Sequence, residues 1–100
     1  MNDYILLMHN DARESSGAET NAAWGRYIEA LQQSGRFLGG SAMGGGKCYA
    51  RSGTPREIAA HLTGFIRVQA ENLDAAQKFL EGNPVFENGG TVEIRELPPS

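Results

Sequence analysis

His9 and His61 are the two histidines of this chain, and imidazole is the side chain best suited to exchange a proton near neutral pH. His61 opens the stretch Ala60-His61-Leu62-Thr63-Gly64-Phe65-Ile66-Arg67-Val68-Gln69-Ala70. Facing a cleft it is a candidate general base; at a strand end it can equally make an ordinary structural hydrogen bond. No carboxylate partner for it can be picked out by spacing. His9 follows the apolar run Tyr4-Ile5-Leu6-Leu7-Met8. If the two stretches pair antiparallel, both histidines fall at one end of the sheet, which makes His9 a candidate ligand-binding residue. With Asp11 they form a conceivable metal set, but the spacing is not diagnostic. No Cys/His metal pattern exists, and neither a metal nor a cofactor is expected.

Arg67 is a second candidate. An arginine on a cleft wall can clamp a ligand carboxylate; the ordinary alternative is a cross-strand charge set with Glu93 or Arg95. Phe65 shares its face and supplies an apolar wall. Other signals are weaker. A phosphate-binding loop fails on spacing, because Ser41 stands where the first glycine is needed and Cys48 where Ser or Thr is needed. Cys48 has no cation nearby except Lys47, which reads as an inert thiol.

These residues must be held by a small set of elements. Tyr4 to Met8 is apolar on both alternating faces, as in a strand covered on two sides. With about two helices in the chain, one face takes the helices and a second subunit is the simplest cover for the other. Ser16-Gly17-Ala18-Glu19 has capping-box spacing. Ala23, Trp24, Tyr27, Ile28 and Leu31 then recur at helical spacing, predicting an amphipathic helix over about 18–34 that Gly35 stops. Arg36 to Ala42 reads as a second strand, and Lys47 to Arg51 as a short returning strand. In the 60–70 stretch, Leu62, Gly64, Ile66 and Val68 share a core face, opposite His61, Thr63, Phe65, Arg67 and Gln69. Asn72 caps a second helix with the stripe Leu73, Ala76, Phe79 and Leu80, ended by Gly82 and Pro84. Pro84 to Gly90 reads as a loop, and Thr91 to Leu97 as a final strand with Val92 and Ile94 inward.

The order predicts one α+β domain over 1–100: a ferredoxin-like split βαβ with an antiparallel sheet and both helices on one face. Two open faces meeting would enclose a cleft with polar and apolar walls. Composition agrees with a globular chain, at 40% hydrophobic and 21% charged residues. The net charge of −3 gives no basic footprint for nucleic acid. No apolar run approaches a membrane span, and the N-terminus lacks a signal-peptide pattern. A cytoplasmic homodimer with a small-molecule ligand is the expectation.

The same residues carry a family resemblance. Tyr4 to Met8 at the start, a helix ending Leu31-x-x-x-Gly35, Phe37-Leu38-Gly39-Gly40, Gly64-Phe65-Ile66-Arg67-Val68 and the closing Gly90-Thr91-Val92-Glu93-Ile94-Arg95 together resemble the YCII-related proteins, closest to their DGPF-domain branch. The resemblance implies a dimeric α+β barrel, a homodimer built on the ferredoxin-like fold. It implies small-molecule enzymes, one of them acting in chloroaromatic breakdown, or modules associated with sigma-factor regulation. An enzyme-like binder and a non-catalytic regulatory module therefore both stand as expectations. Two features depart from the family. The Asp-Gly-Pro-Phe tetrapeptide is absent, with Ser52-Gly53-Thr54-Pro55 in its region. The resemblance also implies a His–Asp pair, the His on the first helix and the Asp before a proline after the second. Here the first helix has no His, and Asn83 precedes Pro84. An amide cannot act as a carboxylate base, so Asn83 enters as a candidate ligand-binding residue only.

Overall fold

A computed structural model describes residues 1–13 and 17–99. Strand β1 (Asn2–His9) is followed by helix α1 (Gly17–Ser34), strands β2 (Phe37–Ala42) and β3 (Leu62–Ala70), helix α2 (Leu73–Gln77), a short helix α3 (Pro84–Glu87) and strand β4 (Val92–Leu97). The sheet order is β2-β3-β1-β4, with every neighbouring pair antiparallel. β1 and β2 thus run parallel on either side of β3, the split βαβ arrangement of the ferredoxin-like fold.

The alternation expected of β1 and β3 sets the core. Tyr4, Leu6 and Met8 of β1 and Gly64, Ile66, Val68 and Ala70 of β3 are buried. Against them pack Tyr27 and Leu31 of α1 and Ala76 of α2, with Trp24, Ile28, Phe79, Val85, Val92 and Ile94 at the margin. Leu6 and Val68 lose all contact with solvent. Burying a side chain of that size is worth about 1.5–3 kcal/mol, so these two central strands carry much of the fold. Among the described residues no layer of this chain covers the other face, and Ile5, Leu7 and Phe65 stand there half-buried.

Local chemistry explains the boundaries. Gly35, with φ of +73°, ends α1 in the left-handed region, and its amide donates to the Gln32 carbonyl. The Asn72 Oδ1 accepts from the Ala75 amide at 2.8 Å and caps α2. α2 tightens into a 3-10 turn over Lys78–Leu80. Gly40 serves close approach: a Cβ there would lie 2.5 Å from the Phe65 carbonyl oxygen.

Four expectations change or fall outside view. The returning strand over Lys47 to Arg51 does not form, and residues 43–61 contain no helix or strand. β2 pairs with β3 directly, Ala42 opposite Gly64, and its outer edge stays free; the intervening segment buries no side chain that would hold it there, every residue from Lys47 to Arg51 being exposed. Pro84 to Glu87, read as loop, is a helical turn, because Asn83 supplies the cap and Pro84 fits the first helical position. Leu73, assigned to the apolar stripe, is exposed, since α2 is only five residues long and turns Ala76 inward. Ser16 of the capping-box reading lies outside the described residues.

Candidate functional site

The end of the sheet where β1 finishes and β3 begins gathers most of the polar chemistry. β1 and β3 are in register up to Met8 opposite Gly64, then a shift places His9 opposite Leu62. Thr63 is the residue left over, and its hydroxyl donates to the Met8 carbonyl at 3.3 Å. This bulge re-aims the chain at the start of β3, as bulges next to sites do. The His61 ring consequently meets the His9 ring edge to face, with centroids 4.7 Å apart and planes at 73°.

β4 brings the carboxylate that spacing did not reveal. Glu93 lies opposite Leu7 on the open face, and its Oε1 is 3.3 Å from Nε2 of His9. A neutral His9 donating from Nε2 leaves Nδ1 as acceptor, so the carboxylate selects the tautomer. Glu93 also pairs with Arg95, at 3.6 Å. The result is a line from exposed His61 through part-buried His9 to Glu93. The missed signal was the β1–β4 register, which follows only once the strand order is known.

The turn after β1 is held beside this line. Asp11 accepts from the Thr91 amide at 2.8 Å and from the Thr91 hydroxyl at 2.7 Å. These two bonds, the amide first, hold the Asp11 carboxyl below the usual carboxylate range. Asp11 is thus committed to Thr91. Among the described residues no three His, Cys, Asp or Glu side chains converge as a metal would require.

Of the other candidates, Phe65 and Arg67 lie on the open face with His9. Arg67 and Arg95 both stand opposite Ile5, forming a row Arg67–Ile5–Arg95 across three strands. It is Arg95, not Arg67, that takes Glu93; Arg67 makes no ion pair among the described residues. Asn83 does not join this group. It is fully buried on the helix side, where its Oδ1 accepts from the amides of Val85 and Phe86 at 3.0 and 3.1 Å. Among the described residues its Nδ2 has no hydrogen-bond partner. The polar side chain of α1 close to it is Tyr27, whose hydroxyl donates to the Phe79 carbonyl. Burial pushes the Tyr27 phenol up.

A cavity lies on the helix side, between α1 and the β2–β3 half of the sheet. Its volume is about 500 Å³, and its walls include Met8, Trp24, Ile28, Phe37, Ile66 and Val85, with Ser41, Ala42, Thr63 and Gly64 toward the histidine end. Among the described residues no titratable side chain lines it. A separate hollow of about 440 Å³ beside α1 is lined by Arg26, Tyr27, Glu81 and Glu87, among others.

Among the described residues no helix is long and apolar enough to cross a membrane. A search of curated proteins finds no match. A solved structure of 5-chloro-2-hydroxyhydroquinone dehydrochlorinase from Burkholderia phenoliruptrix AC1100, in complex with 2,5-dihydroxybenzoquinone, superposes with a TM-score of 0.61 at 18% identity, covering 98% of this chain and 95% of that one. At that identity the likeness speaks for the fold. The family model of the YCII-related domain matches residues 1–99. With the strand order and the motif positions described above, the chain belongs to the YCII-related domain family.

Proposed function

We infer that this protein binds a small, mostly apolar molecule at the end of the sheet where His9 and His61 meet, and that His61 moves a proton there. The observation that carries the reading is the line His61–His9–Glu93, an exposed imidazole backed by a second ring that a carboxylate orients. General acid–base chemistry needs such a positioned group. The helix-side cavity reaches the same end of the sheet, and its volume lies within the roughly 300–1,000 Å³ of small-molecule sites. Phe65 and Arg67 extend the site along the open face, which a second copy closes into a cleft. Ile5, Leu7 and Phe65 support that homodimer, since an unpartnered apolar strip favours association. The dehydrochlorinase with a similar fold binds a hydroxylated quinone, so ring compounds of that class are the first to try. Asn83 has a structural part in this reading, as the cap of α3.

A second reading is a binding or regulatory module without turnover. It is favoured by the cavity walls, which among the described residues carry no titratable side chain. A thermal-shift screen with hydroxylated aromatics and quinones separates the two. For a ligand at 100 times its Kd the expected gain is about 2.7 kcal/mol. Proton transfer by His61 requires that His61→Ala abolish turnover of a hit while Ala42→Phe, which fills the cavity rim, abolishes binding. A hit that binds both variants unchanged would refute the site.

A further inference from the structure

Residues 43–61 form a long arm between β2 and β3 that the proposed site does not use. From Gly44 to His61 every residue is exposed. Structureless connections longer than about 12–15 residues are uncommon in small domains and usually serve a function. The arm carries side chains that solvent does not favour: Tyr49 is 87% exposed and Ile58 44%. Its charge is also distinct. Lys47, Arg51 and Arg56 face Glu57 alone, a net +2, in a chain of net charge −3. The remainder therefore carries −5. The molecule is flat, 46 × 39 × 19 Å, and its radius of gyration of 15.0 Å exceeds the roughly 13 Å expected for 100 residues.

A basic segment with exposed aromatic and aliphatic groups has its complement in the acidic body of the same chain. A Cβ at Gly46 would lie 3.4 Å from the Ile58 side chain, so the two limbs of the arm approach each other at that point. We propose that the arm over residues 43–61 clasps a second copy of this chain, its Lys47, Arg51 and Arg56 on the partner's acidic surface and its Tyr49 and Ile58 buried against it. The inference rests on the homodimer reading above and adds an interface that the open sheet face does not contain. Tyr and Arg are the residues that most often anchor such contacts.

Hydrogen–deuterium exchange across a dilution series, run with sedimentation on the same samples, tests this. Within a single chain the arm amides have almost no hydrogen-bond partners and exchange freely. In the dimer, arm peptides between 44 and 58 are expected to slow at least tenfold, and to lose that protection as dilution dissociates the dimer. The double change Arg51→Glu with Arg56→Glu, on exposed positions that leave the core untouched, is expected to weaken dimerisation at least tenfold and to reverse its salt dependence, because added salt then screens repulsion where it had screened attraction. Arm protection that persists in the monomer would mean the arm folds over its own chain and would overturn the proposal. An arm that stays unprotected in a proven dimer would overturn it too, while leaving the open-face homodimer standing. Conversely, a dimer unaffected by Leu7→Lys but lost on arm charge reversal would remove the open-face reading and keep the arm. A chain monomeric at every concentration would remove both.

Discussion

His9 and His61 come from opposite sides of the β1–β3 pair, and their rings meet edge to face at 4.7 Å. The contact exists because β1 ends and β3 begins at the same edge, with Thr63 extra in the ladder. Behind the pair stands Glu93, 3.3 Å from His9. The first prediction follows from that carboxylate. Neutral His9 is expected to hold its proton on Nε2, which long-range proton–nitrogen NMR reads directly. In Glu93→Ala the two tautomers should both populate, and the His61 ring resonances should shift through the shared ring contact. An unchanged His9 tautomer would show that Glu93 does not orient it.

Asp11 makes the turn after β1 sensitive to acid. Its folded carboxyl is held below the unfolded value by the amide and hydroxyl of Thr91. A depressed carboxylate contributes stability that is complete above the unfolded value, near 3.8, and is lost as pH falls through the folded one. The difference in Tm between wild type and Asp11→Ala should therefore be largest at neutral pH and shrink below pH ~4. A difference that stays constant across that range would contradict the two bonds to Thr91.

Gly40 tests the pairing of β2 with β3. Its Cβ position would lie 2.5 Å from the Phe65 carbonyl oxygen and 3.1 Å from the Ile66 Cα. Both are backbone atoms and cannot rotate away. Gly40→Ala is expected to lower unfolding free energy by about 1–3 kcal/mol, measured by urea titration. Gly44→Ala, with nothing near its Cβ, should change stability by less than about 0.5 kcal/mol. Equal effects at the two positions would count against the close strand approach.

Asn83 and Tyr27 are predicted to act on stability and not on ligand binding. Asn83→Ala removes a cap that accepts from two amides, at a cost of about 1–3 kcal/mol. Tyr27→Phe frees the Phe79 carbonyl and should cost about 1 kcal/mol. The Tyr27 phenol is raised by burial, so its contribution is complete below the unfolded pKa and fades as pH rises through the folded one. The Tyr27→Phe deficit should accordingly shrink in strong alkali. Ligand affinity lost in either variant, at temperatures where it remains folded, would bring this region into the site.

Much of this arrangement was legible in the residue pattern. Ile5 and Leu7 alternating with Leu6 and Met8 announced a strand with two apolar faces, and Ile66 with Val68 marked the core side of β3. The pairing that would bring His9 and His61 together was legible as a condition. The carboxylate was not, because Glu93 reaches His9 only through the β1–β4 register, a contact across most of the chain that no local spacing encodes. The segment from Lys47 to Arg51 misled because alternation marks a strand only where one side is buried, and all five residues are exposed. An Asn before Pro suits a ligand site and a helix cap equally, and spacing alone did not reveal that the Asn83 Oδ1 caps α3.

The claim that a small molecule binds where His9 and His61 meet is tested most directly by amide chemical-shift mapping with a hit from the ring-compound panel. The largest perturbations are expected at Met8, His9, Ser41, Ala42, Thr63 and Gly64, and they should vanish in Ala42→Phe. Perturbations centred instead on Arg26, Tyr27, Glu81 and Glu87, around the hollow beside α1, would contradict the account.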